Sequence, residues 1–306
     1  MGRGAGALVN LPQNVDEPSP VAGRAPQPEP ARRRIWLCAD DYGISPSVNA
    51  AIRDLVVRGR INATSAMVIA PTFSRSEARS LAILNAGARR VAIGLHVTLT
   101  APFVPLAKDF TPLVDAAFPA LPDVMRRSFL RRLSRTALDD EVRAQFAAFT
   151  ASFGHPPDFV DGHRHVHLLP QVRDAVLAAI KSMSPNAWVR QCAGAGALLP
   201  RLSDPKGLVV DGLSRGLRRR ARRRGISTNT AFAGTYTYHA DADFAVLFPA
   251  FLAAVPDGGL IMCHPGRVDA ELERLDPLTT LREREYEYLL GEFLPDLLAA
   301  HGVTLA

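Results

Sequence analysis

The sequence predicts an α/β fold of mostly parallel strands, laid out either as one large (β/α) barrel or as two smaller domains. From Arg34 onward, short β-type runs alternate with stretches of helical periodicity, a pattern that requires crossover helices between parallel strands. A length of 306 residues suits one barrel of roughly 250 residues with additions, or two domains of about 150. Four polar motifs each fall where a predicted strand gives way to a loop. In a parallel barrel the carboxyl ends of all strands open on one face, where active sites lie.

Residues 1–31 hold six prolines and four glycines with few large apolar side chains. They bury too little surface to offset ordering entropy, so a disordered Pro-rich tail is expected. The first strand is Ile35 to Ala39. A helix follows, with Ser45 as cap, Pro46 in its first position, and Val48, Ala51, Ile52, Leu55 and Val56 on one face. Further strands are expected at Ser65 to Ile69, Val91 to Leu95, Asp158 to Val160 and Leu260 to Cys263. The spacing predicts helices over about 138–153 (ended by Gly154), 170–183 (opened by Pro170) and 243–254, then a long amphipathic helix at about 280–300. Gly302 leads into a short terminal strand. Segments 101–136 and 192–228 resist assignment and read as long loops or helical insertions, which in compact domains often serve as lids.

Composition excludes several classes. Apolar residues are 47% and charged residues 22% of the chain, which rules out disordered, collagen-like and disulfide-dense proteins. No apolar run reaches the 18 or so residues of a membrane span, and no N-terminal apolar stretch of about 7–15 residues marks a secretory signal, so a soluble, cytoplasmic protein is expected. Cys38, Cys192 and Cys263 are widely separated and read as buried free thiols. The formal charge of +6 is local: seven arginines lie between Arg215 and Arg224, and the rest of the chain is nearly neutral. A solvated helical face is the simplest reading of that run, with an anionic partner the other.

Five of the eight histidines cluster in three motifs: His96 in Gly94-Leu95-His96, the run Asp161-Gly162-His163-Arg164-His165-Val166-His167, and His264 in Met262-Cys263-His264-Pro265-Gly266. The fourth motif is Ala39-Asp40-Asp41-Tyr42-Gly43. An aspartate with two histidines makes a divalent-metal set without thiolate that leaves positions open for water and substrate. Consecutive carboxylates at a strand end point in different directions, so one can bind metal while the other faces the water. Three histidines at alternate positions share one side of an extended segment, where metal or substrate binding explains them best. Asp40-Asp41 alone could instead favour a helix N-terminus, and His264 could be a turn residue. No dinucleotide fingerprint, phosphate loop or nucleophile elbow is present, which disfavours nucleotide cofactors and serine hydrolysis.

These motifs, in this order and together with Asn49 and the Gly94-Leu95-His96-Val97-Thr98-Leu99 string, resemble the YdjC-like carbohydrate deacetylases. That family includes chitooligosaccharide and hopanoid-biosynthesis-associated deacetylases, and the likeness runs from about Arg33 to the C-terminus. The resemblance implies a single distorted (β/α) TIM-like barrel over 32–306, with insertions around 101–136 and 192–228. It also implies metal-dependent removal of acetyl from an N-acetylated sugar or oligosaccharide. Asp41, His96 and His163 match metal ligands, Asp40 the general base, and His264 the acid that protonates the departing amine. His165 and His167 match positions near the site. One Mg2+ or Zn2+ ion is expected, with Mn2+ as a third choice. Tyr42, where phenylalanine is commoner in the family, is a candidate for substrate stacking, as are Phe103, Trp188, Phe232 and Tyr236, and Arg190 for a substrate hydroxyl or carboxylate. The rival readings are hydrolysis of a phosphoester by the same metal set, and an anionic-surface or nucleic-acid binder using 215–224. Nucleic acid is the less favoured partner, and a homodimer is the assembly to test for.

Overall fold

Ten residues, Arg33–Tyr42, form the central strand β1. Ile35, Leu37, Cys38 and Ala39 are all fully buried there, as expected of a parallel strand covered on both faces. The computed structural model describes residues 1–2, 32–88, 90–195 and 205–305. The tail expected at 1–31 lies outside the described residues apart from Met1 and Gly2, and so does part of the 192–228 segment, 196–204.

Seven further strands pair in parallel: β2 (Ala63–Ala66), β3 (Ala92–Val97), β4 (Phe159–Gly162), β5 (Trp188–Val189), β6 (Phe232–Ala233), β7 (Leu260–Cys263) and β8 (Val303–Leu305). The sheet order is β5-β4-β3-β2-β1-β7-β6, and β8 takes up the N-terminal part of β1. The outer strands approach one another. Val189 of β5 bridges Thr228, the Asn229 carboxamide joins the backbone of Gln191, and the Phe232 N–H donates to the Ala193 carbonyl at 3.0 Å. The result is a curled parallel sheet of the barrel type.

Helix α1 (Pro46–Val57) follows the sequence closely. The Ser45 hydroxyl accepts from the Val48 N–H, Pro46 opens the helix, and Val48, Ala51, Ile52, Leu55 and Val56 are buried. A cap of this kind contributes about 1 kcal/mol, and each large apolar side chain roughly 1.5–3 kcal/mol. The other helices are α2 (Arg75–Ala82), α3 (Leu121–Phe129), α4 (Arg135–Phe153), α5 (Val172–Met183), α6 (Pro205–Arg223), α7 (Phe244–Ala254), α8 (Ala270–Leu275), α9 (Thr280–Leu290) and α10 (Leu294–Ala300). The first segment without a predicted element thus carries α3 and the start of α4, and the second carries α6. Gly154, in the left-handed region at φ 79°, ends α4 as expected.

Three expectations need correction. The strand expected at Ser65 to Ile69 is β2 at Ala63–Ala66, with residues 67–69 in the turn beyond it. The long helix predicted at 280–300 is two helices, because Gly291 turns to an extended ψ of 135° after α9 and Pro295 opens α10. A Cβ at Gly291 would meet the Phe293 ring at 2.2 Å, so the break is built into the packing. The His163–His167 run is not extended. Residues His163–Leu168 form a tight 3-10 turn with Arg164 and His165 at φ 52° and 59°, so the three imidazoles do not share a side.

Close packing between β3 and β4 gives the first prediction. A Cβ on Gly94 would lie 2.5 Å from the Phe159 ring, which is itself stacked on Trp188 at 4.5 Å. Gly94→Ala should therefore destabilise the protein by about 1–3 kcal/mol, read as a lower denaturation midpoint in urea.

Candidate metal centre

The register of the sheet brings the polar motifs together. His96 on β3 is opposite Asp161 on β4, Gly94 is opposite Ser65 on β2, and Ala39 on β1 is opposite both Thr64 and Cys263. The carboxyl ends of β4, β3, β2, β1 and β7 are thus successive neighbours, carrying Asp161, His96, Ser65, Asp40-Asp41 and, just past β7, His264.

At Asp41 the strand breaks its pleat. Its φ is 68°, a left-handed value uncommon outside glycine, and the β1–β2 register shifts between Ala39 and Tyr42. Such strain persists only where surroundings enforce it. Here Gly43 follows at φ 105°, its N–H held by the Asn49 carboxamide oxygen. The kink, rather than simple strand alternation, sends the two adjacent carboxylates to different partners.

Asp41 faces the histidines. Its Oδ1 lies 3.0 Å from His163 Nδ1 and 3.3 Å from His96 Nε2. Asp41, His96 and His163 are all buried, and each presents a ligand atom within 4.8 Å of the others. The second Asp41 oxygen accepts from Arg282 Nη2 at 2.6 Å. On the far side of His96, Nδ1 lies 2.6 Å from Asp161 Oδ1 and 2.9 Å from the Ser65 hydroxyl. A carboxylate behind one ring nitrogen selects the tautomer that leaves the other nitrogen's lone pair pointing at the centre, as in carboxylate–histidine–metal arrangements.

Asp40 is held instead by Arg190. Nη1 and Nη2 donate to its two oxygens, each at 2.6 Å. Nη2 also lies 3.0 Å from Cys38 Sγ and 2.5 Å from Asp161 Oδ2, the latter a charge contact rather than an aligned hydrogen bond. Cys38, Asp40 and Asp161 are also near enough to hold an ion, but the guanidinium fills that position. Burial would raise the Asp40 carboxyl, yet Arg190 outweighs it and holds the group well below the usual carboxylate range. Arg282 and His163 do the same for Asp41.

Charge balance tests whether these residues suit a cation. Among the described residues Asp40, Asp41 and Asp161 pair with Arg190 and Arg282, and Arg282 also meets Asp276, so carboxylates outnumber guanidinium groups around the centre. Burial alone would lower His96, but Asp161, Asp41 and Asp40 override it and push the imidazole up to about 10. One carboxylate oxygen with two imidazole nitrogens is a fitting donor set for a divalent cation, and the buried His163 Nε2 has no hydrogen-bond partner among the described residues.

His264 sits at the edge of the centre. Its backbone N–H donates to Glu285 Oε2, its ring lies edge-on to Tyr238 at 5.8 Å, and its buried Nδ1 has no hydrogen-bond partner among the described residues. Burial lowers its pKa, while the facing carboxylates of Asp41 and Asp40 oppose that shift and Arg282 reinforces it.

Several residues expected to face substrate are engaged elsewhere. Tyr42 is fully buried: its hydroxyl donates to the Glu77 carbonyl and accepts from Arg53. Arg190 is fully buried as the clamp of Asp40, because three acidic or thiol groups compete for it at the end of β1. His167 Nε2 bonds the Arg190 carbonyl at 3.0 Å, and half-buried His165 packs against Phe232 with Nδ1 3.6 Å from Cys192 Sγ. Burial keeps both imidazoles below the usual histidine range. Trp188 stacks on Phe159 and Trp36, while Phe103 lies edge-on to His163. All three cysteines are free and buried, as expected.

Three residues of the centre went unmarked in the sequence. Asp161 stood in the histidine motif without a role. Arg282 and Glu285 lie on α9 among the buried Leu281, Tyr286 and Leu289, and charges three apart on an apolar helix face were the available signal. Glu285 also accepts from the Tyr236 hydroxyl at 2.5 Å.

Fold and centre together define a parallel barrel-type α/β protein with an Asp–His–His cluster at its strand ends. The family model described as YdjC-like protein matches residues 34–300, and the chain belongs to that family. It is 29% identical over 281 residues to a chitooligosaccharide deacetylase of Serratia marcescens, covering 83% of this chain and 96% of the relative. A chitooligosaccharide deacetylase of Yersinia pestis (strain Pestoides F) is 30% identical over 146 residues, 48% of this chain and 55% of that protein. Among solved structures, a protein from Enterococcus faecalis V583, provisionally described as a cellobiose-phosphate cleavage protein, shares the fold. The TM-score is 0.68 at 22% identity, over 90% of this chain and 97% of that one. No helix among the described residues is long and apolar enough to cross a membrane.

Two predictions follow from these contacts. Asp161→Asn removes the carboxylate that orients His96 and should weaken divalent-cation affinity roughly 10–100-fold, measured by calorimetric titration of metal into metal-free protein. Burial pushes the Glu285 carboxyl up to about 7 from its ordinary 4.5, so between those values the folded state binds more protons than the unfolded chain and stability falls as pH rises. Denaturation free energy should therefore drop between about pH 5 and 7, and drop less in Glu285→Gln.

Proposed function

We propose that this protein is a divalent-metal-dependent carbohydrate deacetylase, hydrolysing the acetamide of an N-acetylated sugar or oligosaccharide. The convergence of Asp41, His96 and His163 beside a separately clamped Asp40 carries this reading. Membership of the YdjC-like family and the likeness to chitooligosaccharide deacetylases support the substrate class.

Asp41, His96 and His163 would hold the cation, and Mg2+, Zn2+ or Mn2+ suits the donor set. When bound, a divalent cation polarises a carbonyl and acidifies water. Asp40 takes the proton of the attacking water on a carboxylate oxygen, and the bidentate Arg190 contact fixes that oxygen's direction and favours its ionised form. Water oxygen bonds to the acetyl carbon as the C–N bond breaks. His264, in its protonated form, gives a proton to the sugar nitrogen, so the products are acetate and a free amine. Two groups are needed because the water must lose a proton on one side of the amide while the nitrogen gains one on the other.

The decisive assay is mass spectrometry of N-acetylated oligosaccharides after incubation with enzyme and Zn2+, Mg2+ or Mn2+. Loss of one acetyl group with matching acetate is expected; phosphoester cleavage without acetate release would sink the reading. Asp40→Asn and His264→Ala should each lower kcat by roughly 10²–10⁴-fold with metal stoichiometry unchanged. His163→Ala should instead lose bound metal, read by elemental analysis.

A further inference from the structure

The arginine stripe of α6 takes no part in the chemistry above. Arg215, Arg218, Arg219, Arg222 and Arg223 recur at i, i+3, i+4, i+7 and i+8, all exposed, while Ser214, Leu217 and Ala221 of the opposite stripe pack inward. The five line a cleft of about 830 Å³ together with Ala193, Gly194, Ala195, Ile226, Ser227 and Thr228.

No carboxylate among the described residues pairs with any of these five. Arg220 and Arg224, one stripe over, share Asp174 at 3.3 and 3.9 Å, so the neighbouring face is partly neutralised. The helix dipole favours cations only in the last turn. It accounts for Arg222 and Arg223 but not for Arg215, Arg218 and Arg219, which repel their neighbours four residues on. Among the described residues, a cleft built this way has no counter-charge.

We propose that this cleft binds a ligand carrying clustered phosphate groups, such as a diphosphate. No lysine lines it, and the planar guanidinium fork matches phosphate oxygens two at a time where an ammonium does not. The Ser227 and Thr228 hydroxyls add neutral donors. No aromatic side chain lines the cleft, so it offers no platform for stacking bases, which argues against single-stranded nucleic acid. The inward apolar stripe of α6 leaves no face to insert among acyl chains, so recognition is electrostatic whether the phosphates belong to a soluble molecule or to a lipid headgroup.

The test is calorimetric titration of the full chain with inorganic pyrophosphate between about 50 and 200 mM salt, with flotation on phosphatidylcholine vesicles containing phosphatidylglycerol as a second arm. Saturable binding near one pyrophosphate per chain, weakening with salt, is expected. The surface double variant Arg218→Gln/Arg222→Gln should lose roughly tenfold or more in affinity without a change in melting temperature. Arg126→Gln, on α3 and paired with Asp123, should bind like the wild type. Flotation displaced by pyrophosphate identifies a headgroup as the source, and pyrophosphate binding without flotation identifies a soluble ligand; both support the site. The proposal is overturned by absence of both, by equal loss in Arg126→Gln, or by binding of a single-stranded RNA that pyrophosphate does not displace. Binding is read without turnover, so failure here leaves the deacetylase reading untouched, and the reverse holds as well.

Discussion

Two carboxylates adjacent in sequence and buried at the end of one strand would ordinarily repel until one took up a proton. Here each has its own buried guanidinium, Arg190 on Asp40 and Arg282 on Asp41. Both pairs are almost wholly excluded from solvent. Removing one member of such a pair typically costs about 3–5 kcal/mol, because the other charge is left unpaired in a medium that solvates it poorly. The two arginines therefore constrain the whole centre: Arg282 holds the carboxylate that contacts His96 and His163, and Arg190 holds its neighbour.

The arginines come from opposite directions. Arg190 follows β5, near one margin of the sheet, and its side chain lies in the interior between Asp40 and Asp161. Arg282 comes from α9, outside the strands, and also lies near Asp276. The sheet must curl for the first contact to form, since β5 and β1 are four places apart in the strand order. Asp41, at φ 68°, lies where the pairing of the carboxylates meets the convergence of His96 with His163.

Under the proposed function, the same arrangement separates tasks that one carboxylate could not combine. A group shared between cation and water would lose basicity to the cation. Asp41 gives its charge to the histidine side, while Asp40 keeps both oxygens on Arg190 and is oriented by it. His264, with its backbone tied to Glu285 and its ring against Tyr238, completes the rim beside β1.

Much of this was legible in the sequence. The alternation of β runs and helical periodicity is local, so most strands, the capped face of α1 and the parallel class could be read from spacing alone, while the two-residue β5 and β6 were too short to show a pattern. The four motifs marked the strand ends, and their grouping at one end followed from the parallel class. Sequence could not assign partners to buried charges, because a side chain's partner depends on which strands are neighbours. Arg190 and Tyr42 looked available to substrate and proved to be internal ties. Arg282 and Glu285 looked like ordinary helix charges and proved to be buried. The turn at His163–Leu168 defeated a period-of-two reading because two residues there take left-handed φ. Residue types and their order thus determined which chemistry the chain could carry, since ligand and proton-transfer groups are properties of side chains. Only the tertiary structure decided which groups face the centre and which hold it, because burial makes a charge depend on the one neighbour that neutralises it.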